Sequence, residues 1–280
     1  MPYRPLLSSA SVALTREVGA IDERGRVSRI AIPAERPLTV YVDRRELVTL
    51  MTLGAAPEAL TLGYLRNQRL VRAIEDVTAI QVDWEVDAVA VTTRHGIADL
   101  ARRTERKTVT TGCGQGSVFG GLMDEIEKIS LPREARLTQS ALYAIVDTIR
   151  IQPSVYKQAG SVHGCALFSA AGEMLYFVED VGRHNAVDAI AGKMWLDGVT
   201  GADKIFYTTG RLTSEMVIKG AQMGIPFLLS RSGTTQMGYM VAEQLGMSLL
   251  ARCTGKHFLL LTGSERLIAQ PQLAESVRLA

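Results

Sequence analysis

Apolar and polar positions alternate along the first third of the chain with the period of two that is typical of half-buried strands. The clearest case is LTVYVDRRELVTLMTL at residues 38–53, where Asp43–Arg45 interrupts the apolar positions, and we predict a hairpin there. A helix is expected at residues 57–71, and two or three further strands within residues 79–111. Residues 1–34 show no clear period, and we expect them to be irregular.

Apolar strands and longer helical segments alternate in the second half of the chain. The helix SALYAIVDTIRIQ is followed by the hairpin CALFSAAGEMLYFVED, and helices and strands then take turns from HNAVDAIAGKMWLDG to MSLLARC. Gly224 and Gly246 stand where glycines commonly end helices. This alternation predicts the α/β class, with a mixed sheet covered by helices. We place a smaller α+β domain, ending in a glycine-rich cysteine loop, at residues 1–133 and the α/β domain at residues 134–280.

Composition excludes several classes of protein. Lys and Arg number 31 against 29 Asp and Glu, a net charge of +2, which argues against a nucleic acid or a membrane surface as partner. No apolar run is long enough for a transmembrane helix, and the N-terminal residues are too polar for a secretory signal. Three widely spaced cysteines do not form a disulfide framework, so we expect a reducing, cytoplasmic location.

Cys113 stands in the glycine-rich stretch TVTTGCGQGSVFGG. Glycine leaves the backbone free and the sulfur accessible, whereas Cys165 and Cys253 lie on apolar segments and are expected in the core. Four basic residues that favour a thiolate precede Cys113, namely Arg102, Arg103, Arg106 and Lys107. Zinc, phosphatase and thioredoxin signatures are absent from the sequence, so no metal site is expected and a nucleophilic thiolate on a mobile arm is predicted. A Cys–His hydrolase using His163 or His184 remains an alternative.

Four similar loops follow predicted strands in the second half. Each combines glycine with Arg or Lys, and the sequences are EDVGRHN (179–185), TTGRLTSE (208–215), SRSGTT (230–235) and RCTGKH (252–257). In an open α/β sheet such loops meet at the carboxyl edge, where glycine lets a ligand approach and arginine binds phosphate through two hydrogen bonds. Phosphate or nucleotide binding is therefore predicted for residues of these loops, namely Arg183, His184, Gly210, Arg211, Ser230 and Arg231. Ordinary helix capping is the alternative.

The motifs TGCG, VHGCAL, EDVGRHNAVD and TTGRLTSEMVIKGAQMGIPFLLSRSGTT together resemble the FdhD/NarQ family of formate dehydrogenase accessory sulfurtransferases. The resemblance runs from about Pro37 to about Gly263. It implies a cytidine-deaminase-like α/β domain and a homodimer. It also implies that a cysteine desulfurase of the IscS type loads persulfide sulfur onto Cys113. The sulfur then passes to the molybdenum of the bis-molybdopterin guanine dinucleotide cofactor, which enters apo-formate dehydrogenase.

The resemblance further assigns a cofactor-binding stretch to the last of the four loops, comprising Arg252, Cys253, Thr254, Gly255, Lys256 and His257. The cofactor carries pyrophosphates and guanines, so GDP is expected to act as a partial mimic. One feature departs from the family, because some members have C-x-x-C at the cysteine loop and Gly116 takes the second position here. Two functions stay open, a persulfide sulfur carrier and a cofactor-binding chaperone without covalent sulfur chemistry. A Cys–His hydrolase is a more remote third alternative.

Overall fold

The computed structural model describes residues 3–97 and 129–275. These residues form two compact units, each assembled from separate stretches of the chain. The described residues of the first unit come from Met1–Gly116, Pro153–Gly164 and Val178–Gly198, and those of the second from Ser117–Gln152, Cys165–Phe177 and Val199–Ala280. The units are interleaved along the sequence, whereas the division predicted after residue 133 is a single cut.

The strands, in chain order, are β1 (Leu6–Leu7), β2 (Thr15–Ile21), β3 (Val27–Pro33), β4 (Arg36–Val42), β5 (Arg45–Thr52), β6 (Val77–Asp83), β7 (Ala88–Thr93), β8 (Leu137–Thr138), β9 (His163–Phe168), β10 (Met174–Asp180), β11 (Ile205–Thr208), β12 (Phe227–Ser230), β13 (Ser248–Thr254), β14 (His257–Thr262) and β15 (Leu267–Ile268). The helices are α1 (Pro57–Asn67), α2 (Gln139–Ile151), α3 (Val155–Ala159), α4 (Arg183–Asp197), α5 (Ser214–Gln222), α6 (Gln236–Gln244) and α7 (Gln272–Glu275). Within the described ranges, no helix is both long and apolar enough to cross a membrane.

The first unit is built on a five-stranded sheet in the order β1-β6-β7-β4-β5. β4 and β5 form the predicted antiparallel hairpin, and β4 also pairs in parallel with β7. Leu38, Val40 and Val42 alternate along β4 and are fully buried, as the period of two requires. Asp43 and Arg44 make the connecting turn with φ of 47° and 69°, the left-handed conformation that the commonest two-residue hairpin turns require.

α1 and α4 cross at close range because each has a glycine at the contact. A Cβ atom on Gly63 would lie 1.7 Å from the backbone oxygen of Asp188, and one on Gly192 would lie 1.9 Å from that of Ala59. The side chain of Asn67 donates a hydrogen bond to Asp188 Oδ1 at 2.7 Å. α4 is buried along nearly its whole length. The helix that follows the EDVGRHN motif therefore belongs to the interior of the first unit.

The N-terminal residues contain a regular hairpin, and the expectation that they are irregular is wrong. β2 and β3 pair antiparallel along their full length. The Asp22 carboxylate fixes their turn by accepting hydrogen bonds from the backbone N–H groups of Arg24 and Arg26. Both faces of the hairpin mix charged and apolar residues that are largely exposed. The hairpin therefore lacks the inward and outward alternation by which half-buried strands are recognised in a sequence.

The second unit is built on a six-stranded mixed sheet in the order β10-β9-β11-β12-β13-β14. β11, β12 and β13 run parallel, while β9 and β14 pair antiparallel with β11 and β13. Its core joins apolar side chains of α2 to those of the strands, among them Leu142, Phe168 and Phe227. Gly224 and Gly246 follow α5 and α6 with φ of 76° and 60°, as expected of glycines that end helices. The predicted α/β class with a mixed sheet and helices is confirmed.

Two predictions reach beyond the described residues. β6 and β7 account for the described part of residues 79–111, and the remainder of that range lies outside. The glycine-rich loop with Cys113 also lies outside the described residues.

Candidate functional site

The second unit brings three of the four predicted loops to one edge of its sheet. β11, β12 and β13 are parallel neighbours, so their carboxyl ends point the same way. Arg211 and Arg231 lie in the loops that follow β11 and β12, and Arg252 lies among the irregular last residues of β13. All three arginines are exposed. The edge therefore presents positive charge from three adjacent strands.

Ser230 and Gly210 hold the first two of these loops together. The Ser230 hydroxyl donates to the Gly210 carbonyl oxygen at 2.6 Å and accepts from the Ser232 backbone N–H at 2.9 Å. The Gly210 N–H donates in turn to Thr208 Oγ1 at 3.1 Å. Both Ser230 and Gly210 are buried. These two predicted site residues shape the loops from within, and the arginines beside them present the charge.

Backbone hydrogen bonds join the loops further along. The Leu212 N–H donates to Gly233 O at 3.0 Å, and the Leu212 carbonyl accepts from the Thr235 N–H at 3.1 Å. The Arg252 N–H donates to Ser232 O at 2.9 Å, which connects the third strand end to the second loop. Guanidinium groups on such a hydrogen-bonded edge are suited to binding phosphate or carboxylate oxygens through paired hydrogen bonds.

The RCTGKH segment does not lead into a helix, which corrects the prediction of a fourth loop of the same kind. It is the turn of the β13–β14 hairpin, in which Thr254 pairs with His257 across Gly255 and Lys256. The physical reason is that the apolar residues after His257 continue as a strand and pair back on β13. Arg252 lies at an irregularity of the register with φ of 53°. These five residues are exposed, but no helix N-terminus follows them to attract an anion.

Cys253 differs from the other residues of this segment because it is buried. Its side chain is 1% exposed, and its thiol donates to Leu250 O at 3.6 Å. Burial raises the pKa of Cys253 to about 12. Cys165 is also buried, and its thiol donates to Thr208 Oγ1 at 3.4 Å. Both cysteines are confirmed as core residues.

Asp180, at the start of the EDVGRHN loop, connects several elements of the first unit. β10 ends at Asp180 and α4 begins at Arg183, so the predicted strand-to-helix connection is confirmed. The buried Asp180 carboxylate accepts four hydrogen bonds, from the Thr52 hydroxyl at 2.5 Å, the Leu53 N–H at 3.1 Å, the Gly182 N–H at 3.0 Å and the Asn185 side chain at 2.9 Å. Burial raises the pKa of Asp180, and these hydrogen bonds act against that shift.

The other polar residues of the motif are also engaged inside the first unit. Glu179 accepts from the first backbone N–H groups of α3, with Val155 N at 2.5 Å from Glu179 Oε2. Asn185 donates to Met51 O at 2.7 Å. Arg183 and His184 are 7% and 3% exposed. The motif therefore ties β5, α3 and α4 together, and the two residues predicted to meet a ligand lie within that framework.

Two charged residues of α5 were missed by the sequence analysis. Lys219 is 2% exposed, and its Nζ lies 3.8 Å from Glu215 Oε1, one helical turn earlier. The Glu-x-x-x-Lys spacing is the signal that could have identified this pair. Asp180 was also missed, although an acidic residue at the end of an apolar strand marked its position.

His163, considered as a partner for a cysteine, is half-buried at the start of β9. Over the described ranges, no group of His, Cys, Asp and Glu is arranged to hold a metal ion.

The structure thus defines an α/β protein whose parallel strands end in arginine-bearing, hydrogen-bonded segments. The model of the FdhD/NarQ family matches residues 33–268, and the chain belongs to that family. A sulfur carrier protein FdhD of Saccharolobus solfataricus is 30% identical over 84% of this chain and 90% of its own length. The corresponding protein of Listeria monocytogenes serotype 4b is 28% identical over 85% of this chain and 91% of its own length.

A solved structure shares the fold. The crystal structure of a proposed formate dehydrogenase accessory protein from Desulfotalea psychrophila superimposes with a TM-score of 0.72 at 24% sequence identity. The match covers 91% of this chain and 98% of that chain.

Proposed function

We propose that this protein is a sulfur carrier for the maturation of formate dehydrogenase. The relatives described above are named sulfur carrier proteins, and the family match covers most of this chain. In this proposal Cys113 receives sulfur from a cysteine desulfurase and passes it to the molybdenum of the bis-molybdopterin guanine dinucleotide cofactor, which is the protein's substrate. The observation that carries the proposal is the sheet edge with Arg211, Arg231 and Arg252, because its charge suits the pyrophosphates of that cofactor.

Sulfur loading requires a thiolate, and this requirement supports the choice of Cys113. Cys165 and Cys253 are buried, and the Cys253 thiol, with a pKa of about 12, is almost wholly protonated at neutral pH. Cys113 is the remaining one of the chain's three cysteines. Its thiolate would attack the outer sulfur of the donor's persulfide. The donor's S–S bond would break, its cysteine would leave as a thiolate, and Cys113 would keep the persulfide.

Cofactor binding is assigned to the carboxyl edge of β11, β12 and β13, here called the strand-exit edge. Arg211, Arg231 and Arg252 would bind phosphate oxygens by charge-assisted hydrogen bonds, while buried Ser230 and Gly210 keep the loops in place. GDP is expected to bind the same edge, because it shares the guanine and the pyrophosphate. Apo-formate dehydrogenase and a cysteine desulfurase are the expected partners, and a cytoplasmic homodimer is the expected form.

A cofactor-binding chaperone is the second candidate function. It is favoured by the same arginine-bearing edge, since it needs the phosphate contacts but no thiolate. The two candidates differ in one measurable property, which is whether sulfur becomes covalently attached to the protein.

Intact-mass analysis after incubation with cysteine and a cysteine desulfurase tests the proposal. The native protein should gain the mass of one or more sulfur atoms, and the gain should be reversed by a thiol reductant. Cys113→Ala should abolish the gain, while Cys165→Ala, the matched control at a buried thiol, should retain it. A chaperone without covalent chemistry would show no gain in any variant. Equal loading of Cys113→Ala and the native protein would overturn the assignment of Cys113.

A further inference from the structure

Arg69 occupies a backbone conformation that arginine rarely adopts. α1 ends at Asn67, and Arg69 follows the helix with φ of 55°. Hydrogen bonds from Arg69 N to Arg66 O and from Leu70 N to Leu65 O, both 2.9 Å, close the helix end. This left-handed position after a helix is usually taken by glycine, because a Cβ atom makes it unfavourable. An arginine at this position therefore carries a backbone cost that a glycine would not have.

The Arg69 side chain lines an open cleft of about 360 Å³ in the first unit. The polar part of the lining consists of Arg69, Arg72, Asp76, Thr93 and His95. Among the described lining residues two are arginines and one is an aspartate, so this part of the lining carries net positive charge. None of these residues belongs to the arginine-bearing loops of the second unit.

The wall opposite Arg69 is held in place by hydrogen bonds. The Thr93 hydroxyl donates to Asp43 Oδ2 at 2.6 Å and accepts from the Gly96 N–H at 2.9 Å. The Thr93 N–H also donates to Asp43 Oδ1 at 2.9 Å. Asp43 is thereby engaged by Thr93. These bonds fix the backbone beside His95, so the cleft is formed in advance of any ligand.

We propose that this cleft binds the oxyanion group, phosphate or carboxylate, of a small molecule. Arginine is the side chain best suited to such groups because its planar donors match two oxygens at once. The volume is that of a small-ligand site and does not require a second protein. The described lining shares no residue with the strand-exit edge, so this proposal does not rest on the function proposed above.

The proposal is tested by calorimetric titration at low ionic strength. The full-length protein is titrated with inorganic phosphate and, separately, with acetate. Arg69→Gly removes the guanidinium and the backbone strain together. Arg44→Gly is the matched control, because Arg44 also has a left-handed backbone, with φ of 69°, but does not line the cleft. Relief of strain should raise Tm in both variants, by about 2–4 °C. Only Arg69→Gly should weaken anion binding, by about tenfold or more.

Arg72→Gln removes a second guanidinium from the cleft without any change in backbone strain. It should weaken anion binding to a similar degree. Tighter binding of phosphate than of acetate would indicate a phosphate-bearing ligand, and the reverse a carboxylate. Equal affinity of Arg69→Gly, Arg72→Gln and the native protein would overturn the proposal. So would loss of anion binding in Arg211→Ala alone, because that result would place the anion at the strand-exit edge.

Discussion

Asp180→Asn is the substitution that best tests how the EDVGRHN motif stabilises the first unit. Each oxygen of the Asp180 carboxylate accepts two hydrogen bonds. Oδ2 accepts from the Thr52 hydroxyl and the Leu53 N–H, and Oδ1 accepts from the Gly182 N–H and the Asn185 amide. An asparagine keeps one accepting oxygen and places two N–H donors where the other oxygen was. One pair of native donors therefore loses its acceptor.

The magnitude follows from which pair is lost. The Thr52 hydroxyl can turn and accept from the new amide, so the less costly arrangement places the amide at the Oδ2 position. That arrangement leaves the buried Leu53 N–H without an acceptor, which costs about 1–3 kcal/mol. Loss of the buried charge offsets part of this cost. Asp180→Ala removes every acceptor and orphans both the Leu53 and Gly182 N–H groups, so its cost should be roughly 2–6 kcal/mol.

Tryptophan fluorescence during urea unfolding measures the effect where it occurs. The chain has two tryptophans, Trp84 and Trp195, and both belong to the first unit. Asp147→Asn is the control, because Asp147 is exposed and, among the described residues, pairs with the exposed Arg150 on α2. It should change the free energy of unfolding by about 0.5 kcal/mol or less. The order of stability should be native, then Asp180→Asn, then Asp180→Ala. A free energy for Asp180→Asn within 0.5 kcal/mol of native, or a higher one, would refute the reasoning.

Two further substitutions test the helix crossing and the strand-exit edge. Gly63→Ala places a methyl group 1.7 Å from a backbone oxygen of α4, so it should lower the free energy of unfolding by about 3 kcal/mol or more. Gly19→Ala is the control, because nothing lies within 4 Å of the new Cβ. It should leave the free energy of unfolding within about 1 kcal/mol of native in the same urea titration. Equal stability of these two variants would contradict the close crossing. Arg211→Ala should weaken GDP binding in calorimetry by about 1.5–3 kcal/mol, the contribution of a hydrogen bond to a charged group, while Arg150→Ala on α2 should leave it unchanged. Unchanged GDP affinity in Arg211→Ala would remove Arg211 from the proposed binding edge.

Some elements of this protein leave a mark on the local sequence and others do not. The β4–β5 hairpin and the helix-ending glycines Gly224 and Gly246 could be predicted, because one buried face or one special φ leaves a local mark on the sequence. The β2–β3 hairpin could not, because its exposed strands carry no one-sided apolar pattern. The RCTGKH turn was grouped with the three loops that precede helices, because glycine next to a basic residue fits both a hairpin turn and a strand-to-helix connection.

The sequence by itself determined the elements and the chemistry available to them. Apolar periodicity specified the strands and helices of the second half, and the apolar surroundings of Cys165 and Cys253 specified their burial. Only the tertiary structure decided that α4 packs on α1 in the first unit, and that Arg183 and His184 are buried there. The physical reason is that this packing depends on a backbone contact between Gly63 and Asp188, which are far apart in the chain. Periodicity reports which face of a helix is apolar, but the partner of that face is selected by shape and by hydrogen bonds between distant residues.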